Sequence, residues 1–194
     1  MRSRRAMLEY ARRQAHFIHL RLGVAQLAAR ILPNYTFSSV RAGIYRWAGL
    51  DIAQGVHFHG VAEFTGGSGV YTNLHIGPRS AINRNCQFDL GGEIVIGADV
   101  DISNYVHFIT TSHEFGRSAR RAGALTTGRI TVGDGAWIGQ AVIIQPGVTV
   151  GKSAVILSGA VVTRDVPQDA VYGGNPAREI TSLTERLRAH DAKG

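Results

Sequence analysis

From Ile52 to Val162 an aliphatic or aromatic residue recurs at every sixth position, in a register interrupted by two insertions. The first run is Ile52, Phe58, Phe64, Val70, Ile76, Ile82 and Phe88, the second Ile96, Ile102 and Phe108, the third Val132, Ile138, Ile144, Val150, Ile156 and Val162. Four residues after most of these stands a smaller or apolar residue, among them Val56, Ala62, Ser68, Cys86, Val100, Ala136 and Ala160. A helix cannot keep this period, because its faces repeat every 3.6 residues. A hexapeptide of one large inward residue, a turn position and one small inward residue suits a short strand plus a corner. Three such units close a triangular coil of about 18 residues, and stacked coils make a parallel β-helix. About six coils are expected, rising ~4.8 Å each, with residues 18 apart standing above one another.

With 194 residues, 44% of them hydrophobic, the chain can bury one core and carry terminal appendages. Residues 1–50 are expected to be helical and connecting, with 33–50 as the connector; 51–167 the β-helix, with an excursion at 111–128; and 168–194 an extension ending in a short helix near Glu179–His190. Cys86 falls on a small inward position and reads as a buried structural thiol, in keeping with a reducing, cytoplasmic setting. The apolar stretch Leu20–Leu32 is broken by Arg21, Gln26 and Arg30 and is too short to span a bilayer, so a soluble protein is expected.

The net charge of +7 is unevenly placed: residues 1–32 hold seven arginines against Glu9 alone, leaving +1 for the remainder. Met7, Tyr10, Phe17, Leu20, Val24, Leu27 and Ile31 recur at helical spacing, opposite Arg5, Arg12, His16 and Arg30. This basic amphipathic helix either packs its stripe on the β-helix or a neighbouring subunit, or docks on the anionic inner face of a membrane. A nucleic-acid partner is not expected, since no groove of interleaved aromatic and basic residues accompanies the charge.

The longest break in the repeat runs from Thr110 to Gly128, where Thr110-Thr-Ser-His113-Glu-Phe-Gly116 leads into Arg117, Arg120 and Arg121. Loops thrown from a rigid repeat tend to carry function. Three motifs lie around it: Ile109-Thr-Thr-Ser-His113, Ile130-Thr-Val-Gly-Asp-Gly-Ala-Trp-Ile-Gly139, and Pro146-Gly-Val-Thr-Val-Gly151 continuing through Val161-Val-Thr-Arg-Asp-Val-Pro167 to Gly174-Asn-Pro-Ala-Arg178. In these the chain resembles the hexapeptide-repeat acyltransferases of left-handed β-helix fold, most closely the galactoside, maltose and exopolysaccharide O-acetyltransferases. The period alone allows either hand.

The resemblance implies a homotrimer with active sites between subunits, acetyl-CoA as co-substrate without a metal, and acetyl transfer to a hydroxyl of a sugar, polysaccharide or glycan precursor. It implies His113 as general base, an imidazole titrating near neutrality being suited to that work. Trp137 takes the position beside the pantetheine arm, Gln140 and Ser158 offer backbone contacts to the thioester, and Thr163, Arg164 and Arg178 lie toward the nucleotide. Asn83 matches an acceptor-contacting asparagine, with Asp89 the nearest acidic companion, out of the family's register. As the fifth residues after Phe108 and Val132, His113 and Trp137 are expected at one edge of the prism. A larger acyl group or another hydroxylated acceptor, such as an antibiotic, remains an alternative.

Three rivals are weaker. A zinc enzyme of the γ-carbonic anhydrase type would use histidines, and an 18-residue step stacks His57 on His75, but the accompanying Ile-Gly-His pattern is absent and His113 would lie roughly 10 Å from His75. A scaffold without activity would not be expected to keep His113, Trp137, Arg164 and Arg178 together. The acyl-carrier-dependent branch of the fold needs a large C-terminal helical domain, more than the 27 residues after Pro167 can form.

Overall fold

The computed structural model describes residues 19–67 and 69–192. The expected stripe and basic positions from Arg5 to Phe17, and inward Ser68, lie outside the described residues.

Three parallel sheets form the walls of a prism. One holds β1 (Asp51–Ile52), β4 (Leu74–Ile76), β7 (Ile94–Ile96), β12 (Ile130–Val132) and β15 (Thr149–Val150). The second holds β2 (His57–Phe58), β5 (Ala81–Ile82), β8 (Asp101–Ile102), β13 (Trp137–Ile138), β16 (Val155–Ile156) and β18 (Val171–Gly173), with β19 (Arg178–Glu179) added antiparallel. In the third are β3 (Ala62–Thr65), β6 (Cys86–Asp89), β9 (His107–Phe108), β14 (Ile143–Ile144) and β17 (Val161–Val162). These strands make five full coils, and β18 begins a sixth, one fewer complete coil than the period suggests.

The difference lies in segment 66–73. Val70 keeps the six-residue register and is buried, yet its hexapeptide turns at a corner instead of adding a paired strand. Partners in the first two coils are therefore 24 residues apart, as in Asp51 with His75, Phe58 with Ile82 and Phe64 with Phe88. The step is then 20 residues (Ile82 with Ile102), 36 across the excursion (Ile102 with Ile138) and 18 thereafter (Ile138 with Ile156). His57 and His75 consequently do not stack. His57 faces Ala81 in the second sheet, whereas His75 faces Asp51 and Val95 in the first. There Nδ1 of His75 meets Asp51 Oδ2 at 2.7 Å and its Nε2 meets Glu93 Oε1 at 3.5 Å.

The periodic large residues do fill the interior: Phe58, Phe88, Ile102, Phe108, Ile138, Ile144 and Ile156 have no exposed surface. Phe64, Phe88 and Phe108 stack in successive coils with centroids 5.3 and 5.0 Å apart, an offset ladder favoured by ring quadrupoles. Two corners are turned by residues with left-handed backbone, Arg79, Asp99, Gly135, Ser153 and Asp169 at one and Asn85, Tyr105, Ala141 and Gly159 at the other. All of these except Arg79 donate their N–H to a carbonyl of the coil before, for example Tyr105 to Arg84 and Ala141 to Asn104. The backbone hydrogen bonds gained at every step offset the cost of that conformation in residues with a Cβ.

Helices close both ends. Residues 33–50 are more than a connector, for α2 (Ser38–Ala48) forms there and packs on β1 and β2, beside α1 (Leu20–Ile31). Tyr45 of α2 sets its ring edge-on against Phe58 and Phe64, sealing the aromatic ladder. Arg41, fully buried, donates to the carbonyls of Ala29, Leu32, Pro33, Thr36 and Phe58. Two of these acceptors, Ala29 O and Leu32 O, lie at the C-terminal end of α1, where carbonyls have no intrahelical partner, and the other three join that end to the following loop and to β2. At the far end α3 (Thr181–Asp191) covers β18, the buried Thr184 hydroxyl accepting the Val171 N–H at 2.9 Å.

Candidate active site

The excursion after Thr110 is an antiparallel hairpin, β10 (Thr111–Phe115) and β11 (Ala122–Thr127), standing out from the corner between the third and first sheets. β-branched threonines at its root, Thr111 against Thr127 and Thr126 against Ser112, suit paired strands. Its tip is a tight turn in which Gly116 N–H donates to Arg121 O and Arg120 N–H to Arg117 O. A Cβ at Gly116 would lie 2.3 Å from the Arg120 carbonyl, so only glycine fits.

Asp89, at the end of β6, ties the hairpin to the coil below. Its Oδ2 accepts the N–H groups of Thr110 (3.1 Å) and Thr111 (2.9 Å) and the Thr111 hydroxyl (2.6 Å), and its Oδ1 accepts Gly91 N–H (3.2 Å). Burial works against ionisation of this carboxyl. The Thr111 hydroxyl and the three N–H groups outweigh it and hold Asp89 below the usual carboxylate range.

His113 sits on β10 opposite Leu125, exposed, where the register slips by a bulge before Phe115. Its Nδ1 lies 3.0 Å from the Gly123 carbonyl oxygen. A carbonyl can only accept, so Nδ1 carries the hydrogen and, in the neutral ring, Nε2 keeps its lone pair as an acceptor. Gly123 was not legible as a partner of His113, since the contact requires the hairpin's pairing across ten residues.

The other candidates lie on different parts of the prism. Trp137 projects from β13 in the second sheet, 52% exposed, between Asp101 and Val155. Gln140 and Ser158 stack at the next corner, where the Ser158 hydroxyl accepts Gln140 N–H at 3.1 Å and Gly159 N–H donates to Gln140 O. Gly139 lies beneath them, and a Cβ there would come within 2.6 Å of Ser158 N. Asn83 occupies this same corner lower in the stack, its N–H donating to Ile102 O. Thr163 and Arg164 follow β17 at the corner from which the hairpin rises, above Gln145 and Pro146. The exit segment crosses nearby: Val161 N–H donates to Gly174 O and Ala177 N–H to Val161 O, which brings Arg178 to this end of the stack.

His113 and Trp137 therefore do not share an edge. Phe108 is a third-sheet residue whose partner above is Ile144, whereas Val132 belongs to the first sheet, so the two hexapeptides are not equivalent units. The hairpin and the Trp137 sheet are separate features of one protomer. Among the described residues, no group of three or more His, Cys, Asp or Glu side chains converges as a metal site would.

The structure is a triangular stack of hexapeptide coils with an extended histidine-bearing arm, and residues 129–164 match the family model for the bacterial transferase hexapeptide (six repeats). The chain is similar in sequence and in fold to hexapeptide-repeat acetyltransferases. It is 36% identical over 115 residues to galactoside O-acetyltransferase of Escherichia coli, 59% of each chain. The matched stretch thus spans about three fifths of the curated relative. In fold it is similar to a hexapeptide-repeat acetyltransferase of Vibrio cholerae solved with acetyl coenzyme A (TM-score 0.67, 28% identity, 82% of this chain and 84% of that one). A galactoside acetyltransferase in complex with coenzyme A is also similar (TM-score 0.65, 27% identity, 84% and 78%).

Proposed function

We propose that the protein is an acetyl-CoA-dependent O-acetyltransferase acting on a hydroxyl of a sugar or glycan precursor, with His113 as general base. The observation that carries this reading is the anchored imidazole: Gly123 O holds Nδ1–H, which leaves Nε2 of this exposed ring as the acceptor. The acceptor hydroxyl gives its proton to Nε2 as its oxygen attacks the thioester carbonyl carbon. The tetrahedral intermediate collapses with cleavage of the C–S bond, and the CoA sulfur takes the proton back from Nε2, leaving ester and free thiol. A positioned base supplies about 10²–10⁴-fold, the remainder coming from holding both substrates together.

Similarity to proteins solved with acetyl-CoA and CoA supports the donor, and similarity to galactoside acetyltransferases supports a sugar acceptor. Trp137, Gln140 and Ser158 would line the thioester arm, and Thr163, Arg164 and Arg178 would meet the nucleotide, where guanidinium forks suit phosphates. Asn83 is the proposed acceptor contact. Because the histidine arm and the Trp137 sheet are separate in one protomer, the proposal includes a homotrimer in which the arm of one copy faces the coil surface of the next.

His113→Ala tests the mechanism. Thiol release from acetyl-CoA, measured over a panel of saccharide acceptors, is expected to fall at least about a hundredfold, with CoA affinity and assembly mass unchanged. Turnover near that of the unaltered protein would refute the role of His113.

A further inference from the structure

Helix α1 turns its larger apolar residues outward. Its packed side is made of Leu22, Ala25 and Ala29, all buried. Leu20, Val24, Leu27 and Ile31 instead are 76, 56, 64 and 78% exposed. At about 100° per residue these four fall within about 60° of one another, a single stripe along the helix. Arg21 and Arg30 lie on its two flanks, both exposed. The Arg21 guanidinium also donates to the carbonyl of Trp47 and lies 5.4 Å over its ring, which is itself 56% exposed. A groove of about 600 Å³ continues the apolar surface, lined by Leu20, Val24 and Leu27 of α1 and by Phe64 and Gly66 of the first coil.

Charge selects the occupant of this face. Residues 1–50 carry nine arginines and one acid, Glu9, for +8, whereas residues 51–194 sum to −1. No acidic residue stands between His19 and Leu50. A second copy docked stripe to stripe would bring two +8 segments together, and residues 1–18, which hold five of those arginines, would add like charge if laid along the groove. A surface of negative headgroups over hydrocarbon complements both features. No helix among the described residues is long and apolar enough to cross a membrane.

We propose that α1 is an interfacial anchor that lies in the plane of an anionic bilayer, with Leu20, Val24, Leu27 and Ile31 below the headgroups and Arg21 and Arg30 at the phosphates. Long arginine stems allow this, because they keep the charge at the phosphate level while their methylenes lie along apolar surface. The β-helix, nearly neutral, then stands away from the surface with its arm and sheets in water. Nothing in this depends on the catalytic reading.

The test uses the full chain with sedimented vesicles of phosphatidylcholine alone and of phosphatidylcholine with about 30% phosphatidylglycerol. Binding at least about tenfold stronger to the anionic vesicles is expected, falling as salt rises. Leu27→Glu with Ile31→Glu, both on the exposed side, should weaken that binding at least about tenfold with melting temperature and assembly mass unchanged. In a Trp137→Phe background, where Trp47 is the sole tryptophan, emission should shift to the blue on adding anionic vesicles. Failure of the intact protein to sediment would overturn the proposal, as would full binding by the double variant. A drop in assembly mass of that variant would assign the stripe to a contact between copies and equally overturn it.

Discussion

Asp89 separates two accounts of the hairpin. As a direct acceptor ligand it would be replaceable without harm to folding; as the root of the arm it would not. The geometry favours the second, because its two oxygens already accept four hydrogen bonds, three of them on Oδ2. In Asp89→Asn the amide oxygen can replace one carboxylate oxygen, while the NH₂ group is turned toward donors. Hydrogen bonds to a charged acceptor contribute about 1.5–3 kcal/mol each. With the amide oxygen in the Oδ2 place the Gly91 bond is lost and the other three pass to a neutral acceptor, which, discounted because Asp89 is only half-buried, gives a destabilisation of about 3 kcal/mol. For a chain of this size that lowers the melting temperature by roughly 6–12 °C. Since His113 stands two residues beyond Thr111, loosening the root should also lower kcat about tenfold to a hundredfold while the KM for acetyl-CoA changes less than about twofold. Scanning calorimetry and thiol-release kinetics measure both. The contribution also has a pH signature. The folded carboxyl titrates below an unfolded one at about 3.9, so its stabilisation is complete above that value and disappears as pH falls through the depressed folded pKa. Unchanged melting with a raised acceptor KM alone would refute the positioning role.

Two further outcomes follow from buried groups. Arg41→Ala should cost about 3–5 kcal/mol in urea unfolding, because carbonyls at the end of α1 lose their donors and a cavity opens. Arg41→Lys should recover less than half of that, since an ammonium cannot reproduce the five-donor fork; a lysine variant as stable as the original would contradict the capping account. Burial pushes the Cys86 thiol up to about 12, while its Sγ–H donates to Ser103 O at 3.1 Å. Native protein at pH 8 should leave a disulfide reagent unreacted and unfolded protein should release one equivalent, whereas rapid native reaction would show that the second corner opens. Here stability is full below the ordinary thiol range and declines as pH rises from there through about 12.

Much of the β-helix was legible because a period is a local property. Each hexapeptide states which side chains turn inward, and even Val70, whose described neighbours add no strand to the walls, obeyed the rule and is buried. Cys86 and the terminal helix were readable on the same grounds, one from its place in the register and the other from apolar spacing after the last turn. The resemblance of the motifs around His113 likewise belongs to the sequence. What spacing could not supply is the length of each coil, because a six-residue insertion preserves the register while adding no strand. That ambiguity displaced His75 from above His57, and the excursion between Phe108 and Val132, which adds residues but no wall strand, separated His113 from Trp137.

The one-dimensional pattern determined what faces inward, where the repeat breaks and where the charge lies. Only the tertiary structure decided that the excursion pairs with itself, that Gly123 O fixes the His113 tautomer, that Asp89 is spent on the hairpin root, and that α1 shows its large side chains to the outside. The reason is physical. Inward and outward alternation follows from the hydrophobic effect acting on each short strand, whereas hydrogen-bond partners ten to twenty residues apart and the choice between two helix faces depend on which surfaces the completed coils present.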